Sequence, residues 1–350
     1  MNTINYHLTT DGFGIHTFEL VRSILSKEEY KRLKSIFNSD KPHVYHEKGN
    51  IKYTPNSGIR FHLCKTNDNR NLRIIVTPLS LITGHNSPTE IFTADKIELL
   101  SEVLENSITN IIGDDYTLDK LTLTRIDCCV NVLLSSDNAA VLYVKMLRKS
   151  YAPYHHSTNN KHIVPQKIHK HCFKVETTDV DFTAYDKYNQ LDSINADYTK
   201  EADSLLRIEL ICKSGHMRKH IHQNEIRQKN YIFDIITYYA KESKNFIVSY
   251  LENNYKPGDY YTYSDICKIL DDSTINKKTK IYMEIFCSLQ QYQKKYTSAI
   301  RCFDDKYCYK KTKKVLDGFE NLDINPTCLP VRDKGNIDYL PGIIKLIQGE

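Results

Sequence analysis

The sequence predicts an α+β fold, with a central mixed or antiparallel sheet and flanking helices, followed by a mainly helical C-terminal domain. Two patterns carry that expectation. Up to about residue 215, short apolar or alternating runs recur between turn-rich stretches, with helical periods interleaved. Beyond residue 232 the pattern changes to long helical periods, which divides the chain into domains 1–231 and 232–350. A length of 350 residues at 40% hydrophobic composition suffices to bury the cores of two domains.

Taken in order, 15-IHTFELV-21 has strand chemistry, and 26-SKEEYKRLKSIF-37 is a helix in which Ser26 and Glu29 stand at capping-box spacing. The segments 58-GIRFHLCK-65 and 71-NLRIIVTP-78, separated by TNDNRN, predict a hairpin. A helix over 92–112, a strand over 121-LTLTRIDCCVNVLL-134 and a helix over 138-NAAVLYVKMLRKS-150 follow. Two further strands, 181-DFTAYDK-187 and 204-SLLRIELICK-213, complete the set. Helices are expected over 232–252, 262–270 and 272–296. The tail 325–347, with three prolines, is expected to run along the surface to a last helical turn.

No basic start joins an apolar run in the first thirty residues, and no apolar stretch reaches the roughly 18 residues a membrane helix needs. A cytoplasmic protein without a membrane partner is expected. The ten cysteines are scattered without CxxC or metal-type pairing, which predicts free thiols. A net charge of +5 says little about partners, but its distribution says more. Between Lys145 and Lys174 stand seven Lys or Arg and five His with no acid at all, among them Lys167, Lys170 and Lys174. Such a block either attracts phosphate or forms a solvated loop.

On a strand, residues i and i+2 share a face. Arg125 and Asp127 therefore stand opposite Ile126, Cys128, Val130 and Val132, while Arg207 and Glu209 stand opposite Leu206, Ile208 and Leu210. By the same rule Thr183, Tyr185 and Lys187 share a face, with Phe182 and Ala184 behind. Each pair taken alone is also an ordinary surface ion pair, worth about 0–1 kcal/mol. Together they offer more. Two carboxylates on neighbouring strands can hold a divalent metal through oxygen ligands, and a metal-bound phosphate needs a nucleophile and a positive group nearby. Tyr185 and Lys187 supply these, the lysine helping a phenol whose ordinary pKa is about 10. Tyr188 is the rival nucleophile if the chain turns helical at Tyr185.

The order 84-GHN-86, 124-TRID-127, 183-TAYDK-187 and 206-LRIEL-210 resembles the replication initiation proteins of the filamentous phage gene II/X family and of related rolling-circle plasmids. The likeness covers most of residues 55–215, and 321-NLDINPTCLP-330 resembles a segment near the end of many members. It implies a site- and strand-specific DNA nickase. Tyr185 would join the 5′ phosphate, leave a 3′ hydroxyl primer and later allow religation of the displaced strand. It also implies Mg²⁺ or Mn²⁺, with Asp127 and Glu209 at the family's acidic positions. His85 is a further ligand or phosphate-contact candidate, or simply part of a turn. Arg125, Arg207, Lys167, Lys170 and Lys174 are the candidate DNA contacts.

The chain departs from the His-hydrophobic-His signature of many rolling-circle initiators, since 220-HIH-222 follows the tyrosine and 169-HKH-171 has a charged centre. The expected partners are single-stranded or supercoiled origin DNA and the host replication helicase and polymerase, in a bacterial cytoplasm. The segment 262–286 is helix-turn-helix-like in the loosest sense, and helical packing without DNA contact explains it equally. Two other classes stand beside the nickase. One is a non-catalytic origin-binding regulator of the same fold, and the other is a tyrosine recombinase, which would carry its tyrosine near the C-terminus.

Overall fold

The computed structural model describes residues 6–37, 43–47, 50–56, 58–66, 69–135, 137–152, 170–196, 199–224, 231–293, 295–330 and 337–349. Strands β1 (Tyr6–Arg22), β2 (Val44–Glu47), β3 (Asn50–Asn56), β4 (Ile59–Lys65), β5 (Arg70–Val76), β6 (Thr122–Leu134), β7 (Cys172–Glu176), β8 (Val180–Asp186) and β9 (Leu205–Lys213) form one sheet. Its order is β2-β3-β4-β5-β1-β6-β9-β8-β7. Every neighbouring pair is antiparallel. Helices α1 (Lys27–Ile36), α2 (Pro78–Thr83), α3 (Ile97–Ile112), α4 (Asp137–Ser150), α5 (Lys187–Asp192) and α6 (Ser214–Gln223) are interleaved with these strands. The C-terminal region holds α7 (Tyr231–Asn254), α8 (Tyr263–Asp272), α9 (Lys277–Tyr292), α10 (Tyr296–Tyr307), α11 (Tyr309–Asn321) and α12 (Ile343–Gln348), with a small ribbon of β10 (Tyr260–Tyr261) and β11 (Tyr339–Leu340).

Local chemistry sets these boundaries. Ser26 and Glu29 form the reciprocal capping box at the start of α1, with bonds of 2.7 and 3.0 Å. The β4–β5 hairpin pairs Ile59 with Val76 through Lys65 with Arg70. Gly58, just ahead of it, allows α2 to approach the sheet, since a Cβ there would lie 2.2 Å from the Cα of Leu81.

The sheet has two unlike faces, as an antiparallel sheet permits. Phe18 and Leu20, Phe61 and Leu63, Ile126 to Val132 at alternate positions, Phe182 and Ala184, and Leu206 to Cys212 at alternate positions point into one continuous core. Leu33 of α1, Leu100 and Leu104 of α3, Tyr143 and Met146 of α4, and Ile236 and Tyr239 of α7 cover that face. The opposite face carries the Arg-x-Asp, Arg-x-Glu and tyrosine positions.

The hydrophobic cores do not part at residue 232. Helix α7 packs into the sheet core, and a second core is built from α8–α11 together with Ile324 and Cys328. The amphipathic period of α7 announces a helix but not its partner, and here the partner is the sheet. The proline-bearing tail is also more than a surface run. Leu329, Leu340, Ile343, Leu346 and Ile347 are buried in the first core, and Asn325 donates to the carbonyl of Lys256 at 2.7 Å. All ten cysteines are free thiols.

Candidate functional site

Strands β1, β6, β9 and β8 lie side by side and bring the polar pairs together. Asn131 stands opposite Arg207, and Cys129 opposite Glu209. Across the next ladder Tyr185 faces Arg207 and Thr183 faces Glu209, while Thr17 faces Asp127 on the other side. Asp127 and Glu209 are therefore diagonal neighbours on one face, a relation of about 7–8 Å in an antiparallel pair. Beside them opens a cleft of about 660 Å³ lined by His16, Thr17, Arg60, Arg125, Asp127, His171, Thr183, Tyr185 and Glu209, with Asn189 and Gln190 of α5 along one wall.

Tyr185 is only 7% exposed, and its hydroxyl donates to Glu209 Oε1 at 2.6 Å. Burial first, and then the charge of Glu209, push the phenol well above its ordinary value near 10. At rest the tyrosine is protonated, with a carboxylate in position to take the proton. Tyr188 is half-buried and does not line the cleft.

Lys187 reaches the tyrosine by a route other than the expected strand face. Strand β8 stops at Asp186, whose carboxylate accepts from the Asn189 amide at 3.2 Å and caps α5, so Lys187 is the first helical residue. Its ammonium lies 5.7 Å from the centre of the Tyr185 ring and donates to Gln190 Oε1 at 2.7 Å. Burial, and then repulsion from Arg207, lower its pKa to about 7. An unfolded lysine titrates near 10.4, so the folded chain binds fewer protons between about pH 7 and pH 10. Stability from this group is full above the unfolded value and is lost as pH falls through about 7. In Lys187→Met, the decline in urea midpoint between pH 9 and pH 7 is expected to flatten. An unchanged slope would place the ammonium in water.

Arg125 grips Asp127 with two bonds, Nε to Oδ1 at 2.6 Å and Nη2 to Oδ2, while Thr17 Oγ1 donates to Oδ2. The Asp127 side chain is 2% exposed, so this is not the exchangeable surface pair that Arg-x-Asp spacing also permits. Burial raises the Asp127 pKa, and Arg125 acts against that rise.

Arg207 does not lie where a DNA contact would. It is 1% exposed and donates to Asn131 Oδ1 at 2.7 Å, to the Pro88 carbonyl at 2.8 Å and to His16 Nδ1 at 3.3 Å. The same length of side chain that suits phosphate instead ties β9 to β6 and to the segment after α2. Since arginine only donates, Nδ1 of His16 accepts and its proton sits on Nε2. That nitrogen faces Glu209 Oε1 at 3.9 Å. Burial, and then Arg207, hold the imidazole well below its ordinary value of 6.5, which keeps it neutral.

Of the cleft residues that the sequence did not single out, His16 and Arg60 bear most on its electrostatics. His16 occupies a β-bulge, because Ile15 pairs with Cys128 and Thr17 with the adjacent Asp127. The signal is present in 15-IHTFEL-20, where the apolar phase slips by one between Ile15 and Phe18. Arg60, from distant β4, left no local signal. It is exposed at the cleft and has no hydrogen-bond or ion-pair partner among the described residues.

The remaining candidates lie elsewhere. His85 is exposed outside the cleft, with Nδ1 3.3 Å from the Thr83 carbonyl, in the turn that Gly84 opens at φ 77°. Lys167 lies outside the described residues. Lys170 is exposed, and Lys174 pairs with Glu176 on β7. From the same basic block, Arg148 donates to the Cys172 carbonyl at 2.9 Å, and His171 lines the cleft 3.2 Å from Asp186.

Among the described residues no three His, Cys, Asp or Glu side chains converge to hold a metal ion. The carboxylates beside Tyr185 in the cleft are Asp127 and Glu209, with Asp186 and Asp192 on the α5 side. Both Asp127 oxygens accept from Arg125 or Thr17, so a divalent ion such as Mg²⁺ or Mn²⁺ would have to share that carboxylate with Arg125, and these residues form no closed cage of protein ligands. No protein-family model matches the chain, and no curated protein matches it. No helix among the described residues is long and apolar enough to cross a membrane.

Proposed function

We propose that the chain is a DNA nicking-joining enzyme that starts rolling-circle replication, with Tyr185 as its nucleophile. One observation carries this reading: the Tyr185 hydroxyl meets the Glu209 carboxylate at 2.6 Å inside a cleft that also holds Arg60 and Arg125. The Tyr185 oxygen bonds to phosphorus as the P–O3′ bond breaks, and the phenolic proton passes to Glu209. The departing 3′ oxygen takes up a proton from water in the cleft, while Lys187, buried behind the lining, acts through its position 5.7 Å from the Tyr185 ring and its bond to Gln190. His16 offers a neutral N–H, and Arg60 and Arg125 offer charge to the non-bridging oxygens. A divalent ion on Asp127 and Glu209 would supply Lewis-acid polarisation of the same phosphate. Religation runs the sequence in reverse.

The test is direct. Purified protein is incubated with single-stranded oligonucleotides from its own replicon and Mn²⁺, and peptides are analysed by mass spectrometry. A nucleotide linked to Tyr185 is the expected product. Salt-sensitive binding with no adduct on any oligonucleotide would favour a non-catalytic origin-binding regulator. The Arg60 guanidinium, without a hydrogen-bond or ion-pair partner among the described residues, gives a further expectation. Arg60→Gln should raise KM for the oligonucleotide about tenfold at low salt with a smaller change in kcat, the mark of a ground-state phosphate contact. An unchanged KM would return Arg60 to the solvent.

A further inference from the structure

The corner between α10 and α11 is cationic in a way the cleft does not use. Residues 306-KYCYKKTKK-314 hold five lysines and no acid. The turn at Cys308, with φ 72°, brings the end of one helix against the start of the next. All five lysines are exposed, and none has a hydrogen-bond or ion-pair partner from its side chain among the described residues. The tyrosines beneath fix part of the array. Lys311 lies 5.3 Å from the Tyr282 ring centre and 5.8 Å from that of Tyr307, and Lys306 lies 5.2 Å from Tyr307. Lys310, Lys313 and Lys314 fall within about one helical turn of α11.

We infer that this corner is a docking surface for the backbone of duplex DNA, separate from the cleft that would cut a single strand. Charge complementarity selects the occupant. Cations that have no ion-pair partner among the described residues, though Asp304, Asp305 and Asp317 flank them, find several phosphates in reach where charge is dense, and duplex DNA carries about one charge per 1.7 Å of its axis. Lys306 and Lys311 cover the Tyr307 and Tyr282 rings, and Tyr309, 71% exposed between the lysines, offers a single ring where single-strand binding uses successive stacking platforms. The surface belongs to the second core of α8–α11, whereas the cleft is built on the sheet and α5. The inference rests on the DNA-processing reading only for the class of partner.

The experiment measures binding of the full-length protein to a labelled duplex of mixed sequence, and to each of its single strands, over a salt series. In Lys310→Gln/Lys313→Gln/Lys314→Gln, the slope of log K against log salt for the duplex should become shallower by about 2 to 3 units. The single-strand slope should change by less than one unit. The corresponding triple Lys→Arg variant should keep the wild-type slope, which separates lost charge from lost folding. An unchanged duplex slope in the Gln variant would overturn the inference, as would an equal loss for both probes. Adduct formation at Tyr185 is followed in the same samples. Adduct with an unchanged slope defeats this surface alone, and a changed slope without adduct defeats the nickase reading alone.

Discussion

Tyr185→Phe is expected to abolish the covalent DNA adduct while leaving oligonucleotide affinity within a few-fold of the parent. Removing a covalent nucleophile lowers turnover by more than about 10³-fold, because no neighbouring group inherits its position. Tyr188 stands outside the cleft and offers no substitute. The change also removes the donor that Glu209 Oε1 accepts at 2.6 Å, leaving a largely buried carboxylate short of one partner. A stability loss of about 1–3 kcal/mol should accompany it, so urea midpoints belong beside the adduct assay. Adduct at the parental level in a folded Tyr185→Phe protein would remove Tyr185 from the chemistry.

The second large effect is structural. Arg207→Ala should cost about 3–5 kcal/mol, because it strands acceptors that have no route to water. Asn131 Oδ1 and the Pro88 carbonyl each lose a charged donor, and His16 loses the bond that fixes its tautomer. Urea denaturation measures the loss. A control isolates its cause: Arg207→Met combined with Asn131→Leu removes donor and acceptor together and should cost less than Arg207→Ala alone. Near-parental stability of Arg207→Ala would mean that water already satisfies these groups. In any residual activity of a folded Arg207 variant, the limb due to His16 should move upward in pH but stay below the ordinary histidine value, because burial, the larger cause of its lowering, remains.

Much of this architecture was legible in local patterns. The i, i+2 rule placed Arg125 with Asp127 and Arg207 with Glu209 opposite apolar partners, and the structure sets β9 between β6 and the strand of Tyr185, so that it pairs with both. The Ser26–Glu29 box and the β4–β5 hairpin are equally local. What escaped is non-local. Periodicity continues a strand until something stops it, so Lys187 was kept on β8, although Asp186 is a competent helix cap. The pairing of Arg207 with Asn131 and Pro88 instead of Glu209 depends on which strand lies alongside, which spacing cannot express. Arg60 comes from a strand more than a hundred residues from Tyr185 and is joined to the cleft only by sheet order. Helix α7 shows the same limit, because an amphipathic stripe does not name the surface it covers.

The central strand also dictates when the protein can exist during synthesis. β1 emerges first, yet its partners are β5 and then β6, and β6 is completed by β9. A ribosome-bound chain that has delivered only β1 to β6 holds His16, Arg60 and Asp127 but neither Tyr185 nor Glu209. Even after β9 has appeared, part of the core under the sheet awaits Leu340, Ile343, Leu346 and Ile347. Pairings this distant along the chain fold slowly, and the nascent edge of β6 stays open until β9 arrives. The cleft can therefore assemble only after β9 has left the ribosome, and a chain that stops short of it carries no assembled cleft.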